Sequence, residues 1–114
     1  MGSTGKNKFG DYAPAPGGTT KCENSVDAEL EDVARQNYFG TNGVPPPQTP
    51  VRLRNGTTSG RLVVEDMTGV AIGNLPTSFH YLAVCQGRGY SYEGEVTLSR
   101  ASKIPVVEVH LEPV

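Results

Sequence analysis

A strict two-residue alternation near the end of the chain is the feature that most limits its fold. From Tyr90 to Ser99, apolar residues or glycine alternate with polar ones, and the alternation returns from Val107 to Glu112. Successive side chains of a strand point to opposite faces, so this pattern predicts two strands that each bury one face. The break between them, residues 100–103, is short, and we therefore predict an antiparallel pair.

Three further strands are predicted upstream. Residues 51–54 read Val-Arg-Leu-Arg, and they are followed by Asn55-Gly56, a dipeptide typical of tight hairpin turns. The return strand is expected over residues 61–66, and a third short strand over residues 70–73. Strands that follow one another through short turns form a meander.

Helical spacing marks two other segments. Apolar residues recur three and four positions apart after a run of acids, which predicts a helix over residues 27–37. The alternative for residues 29–34 is a short edge strand. Pro76 suits a helix start and Gly87 a helix end, so a second helix is predicted over residues 78–86.

Composition separates a tail from a folded part. Residues 1–24 contain five glycines and two prolines with few large apolar side chains, too few to offset the entropy lost on ordering. We predict a disordered tail over residues 1–24 and one small domain over residues 25–114. Its expected class is α+β, mainly β: a bent antiparallel sheet or partly open β-barrel of about five strands with one or two short helices.

Charge and cysteine content exclude several classes of protein. The net charge is -2, so the chain lacks the basic balance of a strongly electrostatic nucleic-acid binder. It shows neither a long apolar segment nor a secretory signal, and we expect a cytoplasmic protein without a membrane partner. In that reducing setting Cys22 and Cys85 are expected to stay unpaired, with Cys85 buried as a small apolar residue.

Candidate catalytic groups are sparse. His80 and Cys85 lie five residues apart, which places them about 140° apart around a helix, too far for proton transfer. Glu93 and Glu95 share one face of a strand, but pairing with cations on neighbouring strands explains them better. We predict a protein that is not an enzyme and that uses neither a cofactor nor a metal ion.

Five residues are the candidates for ligand binding. Arg52, Arg54 and Arg61 project from one predicted hairpin, and a basic strip beside aromatic rings suits phosphate contacts; the rings we select are Tyr81 and Tyr92. The alternative is that the arginines pair with carboxylates on neighbouring strands. The carboxylates in question are Glu93, Glu95, Glu108 and Glu112.

The segment from Gly69 to Val96 reads G-V-A-I-G-N-L-P, then a helix containing Leu82, then G-Y-S-Y-E-G-E-V. This order resembles the second half of HIRAN domains, and the resemblance implies a small barrel that binds DNA ends. The first half differs, because Arg54-Asn55-Gly56-Thr57 stands where the family has an Arg-Glu-Pro stretch. We therefore transfer no DNA-binding residue.

The Gly/Pro-rich start and the N-L-P-T-S-F-x-Y-L stretch also resemble short uncharacterised bacterial proteins of mobile DNA, which implies no activity. The leading hypothesis is a non-enzymatic binding module for a macromolecule, with protein ranked ahead of nucleic acid because the pI is 5.6. The alternative is a homodimer formed through edge strands, for which Val106 to Leu111 is the predicted edge.

Overall fold

The computed structural model describes residues 21–114. The strands in this part of the chain are β1 (Val26–Glu29), β2 (Pro50–Thr58), β3 (Arg61–Asp66), β4 (Ala71–Asn74), β5 (Tyr92–Arg100) and β6 (Val106–Pro113). The helices are α1 (Asn37–Asn42) and α2 (Tyr81–Gly87), with single 3-10 turns at Val33–Arg35 and Thr77–Phe79. Between residues 21 and 114, no helix is both long and apolar enough to cross a bilayer.

The strands form one antiparallel sheet in the order β1-β6-β5-β2-β3-β4. The fold class is therefore mainly β within α+β, as predicted, with one strand more than the five expected. The predicted pairing of the last two strands is confirmed, since β5 and β6 are antiparallel neighbours. The predicted helix over residues 78–86 corresponds to the second 3-10 turn and α2.

The sheet curls until its two ends meet. Glu31, just beyond the edge strand β1, forms an antiparallel bridge with Asn74, the last residue of the other edge strand β4. Their two backbone hydrogen bonds have N···O distances of 2.8 and 2.9 Å. This bridge makes the curled sheet resemble a barrel that is closed at one point of its seam.

Inward-facing aliphatic side chains of all six strands fill the core. Val51, Leu62, Val96 and Leu111 are completely buried. On β5, Gly94 permits the close approach of β6, because a Cβ atom placed there would overlap the carbonyl oxygen of His110. Residue 94 has to be glycine for β5 and β6 to pack in this register.

The predicted helix over residues 27–37 is wrong. Residues 26–29 instead pair with residues 108–111 as β1, while α1 begins only at Asn37. Asp32 has a φ of 58°, a left-handed conformation that interrupts any helix through it. The open alternative of an edge strand in this region is closer to the structure, although that strand ends at Glu29.

The prediction of a hairpin turn at Asn55-Gly56 is also wrong. Both residues lie inside β2, where the register with β3 shifts between Leu53 and Thr57. Gly56 does adopt a positive φ of 79°, as the dipeptide predicts, but it does so in a bulge. The chain reverses later, at Ser59 and Gly60, whose φ values are 52° and 77°.

The structure changes two predictions about the start of the chain. One is the end of the disordered tail, and the other is the state of the two cysteines. The prediction for residues 1–20 lies outside the described residues. At residues 21–24 the tail prediction is wrong, because Cys22 is buried and forms a disulfide with Cys85. The same bond overturns the expectation that both cysteines stay unpaired, and it fastens the chain before β1 to α2.

The strand chosen as a dimerisation edge is not an edge. β6 lies between β1 and β5 and forms backbone ladders with both. Its backbone donors and acceptors are therefore used within the chain, and a second copy cannot add to it.

Candidate nucleic-acid interface

Two of the three candidate arginines share one buried carboxylate. Arg52 and Arg54 lie two positions apart on β2, so both point to the same face. Their Nε atoms donate to the two oxygens of Glu65 on β3, at 2.7 and 2.6 Å. Arg54 also donates from Nη2 to the carbonyl oxygen of Gly69. These contacts fix both guanidinium groups to the sheet.

Glu65 is suited to hold two cations. Its exposed fraction is 6%, and burial by itself raises the pKa of this carboxyl group. The hydrogen bonds and charges of Arg54 and Arg52 outweigh that effect, and the net result is a pKa below the ordinary glutamate value. The carboxylate therefore stays ionised and compensates part of the arginine charge.

Arg61 pairs with acidic residues at the seam of the sheet. Its Nη2 donates to Glu31 at 2.6 Å and to the carbonyl oxygen of Leu75 at 2.7 Å, and Nη1 lies 3.8 Å from Asp32. The alternative of arginine–carboxylate pairing is thus correct in kind. The partners differ from those considered, because Glu65 and Glu31 take the place of the glutamates on β5 and β6.

The prediction that Tyr92 lies on a ligand-binding surface is wrong. Its exposed fraction is 1%, and its hydroxyl group donates to the carbonyl oxygen of Cys22 at 2.7 Å. Burial, together with Tyr81 and Tyr90, raises the pKa of this hydroxyl. Tyr92 is a core residue that supports the segment before β1.

Tyr81 is the candidate whose ring is partly exposed and lies beside a cation. It is the first residue of α2, and its ring is only partly buried against the core. The ammonium nitrogen of Lys21 lies 4.1 Å from the ring centroid, a cation–π contact. The Phe79 ring lies beside it, with 6.4 Å between the centroids.

A pocket of about 160 Å³ opens next to this ring. It is lined by Lys21, Cys22, Tyr81, Val84, Cys85 and Arg88. Two of these residues are cations, and none of the described lining residues carries a carboxylate. Val84 contributes apolar area, with 60% of its surface exposed. We call Lys21, Phe79, Tyr81, Val84 and Arg88 the α2 surface.

Two anchors position the α2 surface on the sheet. The disulfide joins Cys85 on α2 to the segment that carries Lys21. The Gln86 side chain spans to the bulge of β2, where it donates to the carbonyl oxygen of Arg54 at 2.9 Å and accepts from the amide of Gly56 at 3.0 Å. These two contacts fix α2, and the segment that carries Lys21, relative to the sheet.

The arrangement combines two kinds of contact that nucleic acids use. An aromatic ring can pack against a base, and a neighbouring cation can neutralise a phosphate. A larger groove of about 470 Å³ at the opposite end of β1 lacks this chemistry, because Glu29, Glu31 and Asp32 line it. Phosphates would be repelled there.

Sequence reasoning found Tyr81 but missed Lys21 and Arg88. Lys21 stands in a Gly/Pro-rich stretch that resembles a tail, and Cys22 beside it was the available signal. A predicted disulfide between Cys22 and Cys85 would have brought Lys21 to α2. Arg88 follows directly after α2, and only the position of Lys21 reveals a cluster.

Comparison with known proteins identifies the fold. No protein-family model matches the sequence, and no curated protein is similar to it. Among solved structures, the HIRAN domain of human HLTF superposes with a TM-score of 0.56 at 16% sequence identity, over 78% of this chain and 74% of that chain. This likeness shows a shared fold and agrees with the resemblance of residues 69–96.

Proposed function

We propose that this protein is a non-enzymatic module that binds single-stranded nucleic acid through the α2 surface. The observation that carries the proposal is the Lys21–Tyr81 pair, which lines a pocket with a second cation, Arg88. The HIRAN-like fold supports it, since the sequence resemblance implies a module for DNA ends. This choice reverses the ranking that placed a protein partner first.

We expect the ligand to be attracted by the α2 surface and not by the net charge of the molecule. With a net charge of -2, the whole molecule does not attract a polyanion. The α2 surface instead offers one aromatic ring and Lys21 beside it, enough for about one base and one phosphate. We therefore expect weak, salt-dependent binding of a short stretch.

The disulfide supports the non-enzymatic part of the proposal. Cys85, the only nucleophilic thiol considered, is bonded to Cys22. Disulfide sulfurs carry no thiolate, the form in which cysteine acts as a nucleophile. A cytoplasmic location and an origin in bacterial mobile DNA remain predictions that accompany this function.

Fluorescence anisotropy with a labelled oligothymidine of about 15 nucleotides tests the proposal at low and moderate salt. Lys21→Ala should weaken binding about threefold to tenfold and reduce the salt dependence, because one phosphate contact is lost. Tyr81→Leu, which keeps the apolar packing but removes the ring, should weaken it about tenfold.

Lys103→Ala is the matched control, since Lys103 is an exposed lysine in the turn between β5 and β6. It should bind as the unchanged protein does. Equal losses for Lys21→Ala and Lys103→Ala would show diffuse charge attraction and contradict the α2 surface as the site. An absence of binding by the unchanged protein at high micromolar concentration would refute nucleic-acid binding altogether.

A further inference from the structure

The Cys22–Cys85 disulfide joins the two halves of the proposed binding surface. Lys21 precedes Cys22, and Tyr81 lies one helical turn before Cys85 on α2. The two cysteine Cα atoms are 5.5 Å apart, although 63 positions separate them in the chain. The cation and the ring therefore meet because a covalent bond holds their segments together.

Besides the packing of Cys22 in the core, few other contacts hold the segment before β1. Among the described residues, the Tyr92 hydroxyl bonds to the backbone of Cys22, and Tyr90 reaches Glu23 at 3.4 Å. The Asn24 amide bonds only locally, to the carbonyl oxygen of Lys21 at 3.3 Å. From Val26 onward the β1–β6 ladder anchors the chain independently. Opening the disulfide would thus free residues 21–25 while leaving the sheet intact.

The disulfide lies in the wall of a surface pocket. Both cysteines line the 160 Å³ pocket next to Tyr81, although their exposed fractions are only 1% and 2%. Lys21 and Arg88 line the same pocket, and positive charge favours the approach of a thiolate. The disulfide and the α2 surface therefore share one pocket.

We propose that thiol–disulfide exchange at Cys22–Cys85 controls ligand binding at the α2 surface: the oxidised protein binds and the reduced protein releases. This inference rests on the proposed function. A thiolate of a dithiol reductant attacks one cysteine sulfur, and the other leaves as a thiolate and takes up a proton. The second thiol of the reductant then breaks the mixed disulfide, so two electrons and two protons pass to the protein and the reductant becomes a disulfide.

Reduction removes Lys21 from the ring rather than changing any charge. The freed segment no longer holds the ammonium group over Tyr81, and binding must then supply the ordering entropy that the disulfide had already removed. In a reducing compartment the module would be in its releasing state, and exchange with an oxidised dithiol, which takes up the two electrons and two protons, would restore binding.

The test measures oligothymidine affinity and amide hydrogen exchange on the full chain, with and without dithiothreitol. On reduction, affinity should fall about fivefold or more. The loss reflects the missing contact of one cation and the entropy cost of ordering its segment when the ligand binds. Exchange at residues 22–25 should accelerate at least about tenfold, while β5 and β6 keep their protection. The Cys22→Ser/Cys85→Ser variant should match the reduced protein in both buffers.

The two readouts separate the two claims. Faster exchange at residues 22–25 without any oligonucleotide binding by the oxidised protein would refute the proposed function, and with it the control of binding, while still showing that the disulfide holds this segment in place. Binding that is equal in both redox states would refute the switch and leave the function standing. Global loss of protection on reduction, or sensitivity of the double-serine variant to dithiothreitol, would overturn the switch as well.

Discussion

The arginines of the sheet and Lys21 of the α2 surface have different surroundings. Arg52, Arg54 and Arg61 alternate along strands and look like a binding strip, yet each one is bonded to a carboxylate. Lys21 stands in a stretch that resembles a tail, yet it lies over an aromatic ring beside a pocket. Regular spacing identifies where a charged side chain points, whereas its partners decide whether the charge is available to a ligand.

The largest effect should come from removing the carboxylate that two arginines share. Glu65→Ala leaves Arg52 and Arg54 facing each other on one strand face without compensation. We expect a loss of about 2 kcal/mol or more in the free energy of unfolding, measured by urea denaturation at neutral pH. Glu93→Ala is the matched control, because Glu93 is exposed and lies opposite Arg52 on β5; its cost should stay below about 0.5 kcal/mol.

Acid should erase the difference between Glu65→Ala and the unchanged protein. The folded protein holds the pKa of Glu65 below the ordinary value of 4.5, so its contribution is complete above that value and disappears as the pH falls through the lowered pKa. A stability gap that persists unchanged in strong acid would mean that packing, rather than charge, is what Glu65 supplies.

A smaller effect is expected at the seam. Arg61→Ala removes the ion pair with Glu31 and the hydrogen bond to Leu75, both next to the bridge that closes the sheet. We expect a cost of about 1 kcal/mol in thermal or urea unfolding, since both ends of the ion pair are partly exposed. Arg35→Ala, which changes an exposed arginine of the first 3-10 turn, should cost less than half of that. Equal costs would contradict a specific role of Arg61 in the seam.

The smallest effect concerns His110 on the exposed face of β6. Side-chain hydrogen bonds with Asp27 and Glu112 raise the pKa of this imidazole above its ordinary value. The stabilisation is therefore complete below the ordinary value of 6.5 and is lost as the pH rises through the raised pKa. A series of melting temperatures between about pH 6 and about pH 8 should decline slightly, and His110→Gln should flatten it. An unchanged decline in the variant would assign the effect elsewhere.

The sequence predicted those strands and helices whose patterns lie within the element itself. β5 and β6 follow from alternation, and α2 follows from Pro76 and the apolar spacing after it. Residues 26–34 carry both a helical and an alternating pattern, and the decision depends on β6, more than 70 positions away. At Asn55-Gly56 the positive φ is correct, but whether it makes a turn or a bulge depends on the register with β3.

The site was less predictable than the fold because it is assembled from distant residues. Tyr81 was identifiable as an aromatic residue on a short helix. Lys21 reaches it only through the Cys22–Cys85 disulfide, and two cysteines give no spacing pattern that separates a bond from two free thiols. Tyr92 alternates in step with Tyr90, yet Tyr92 is buried and Tyr90 is partly exposed.

The pairing of β1 with β6 constrains when the sheet can be completed during synthesis. Val26 lies opposite Leu111, so the first strand of the described sheet has its partner in the last one. A chain emerging from the ribosome presents β1 long before β6 exists, and until then the apolar face of β1 has no ladder to join. Such long-range pairing slows folding. The sheet is consequently completed only after β6 has emerged, and removing β6 would leave both β1 and β5 without the ladder that joins them.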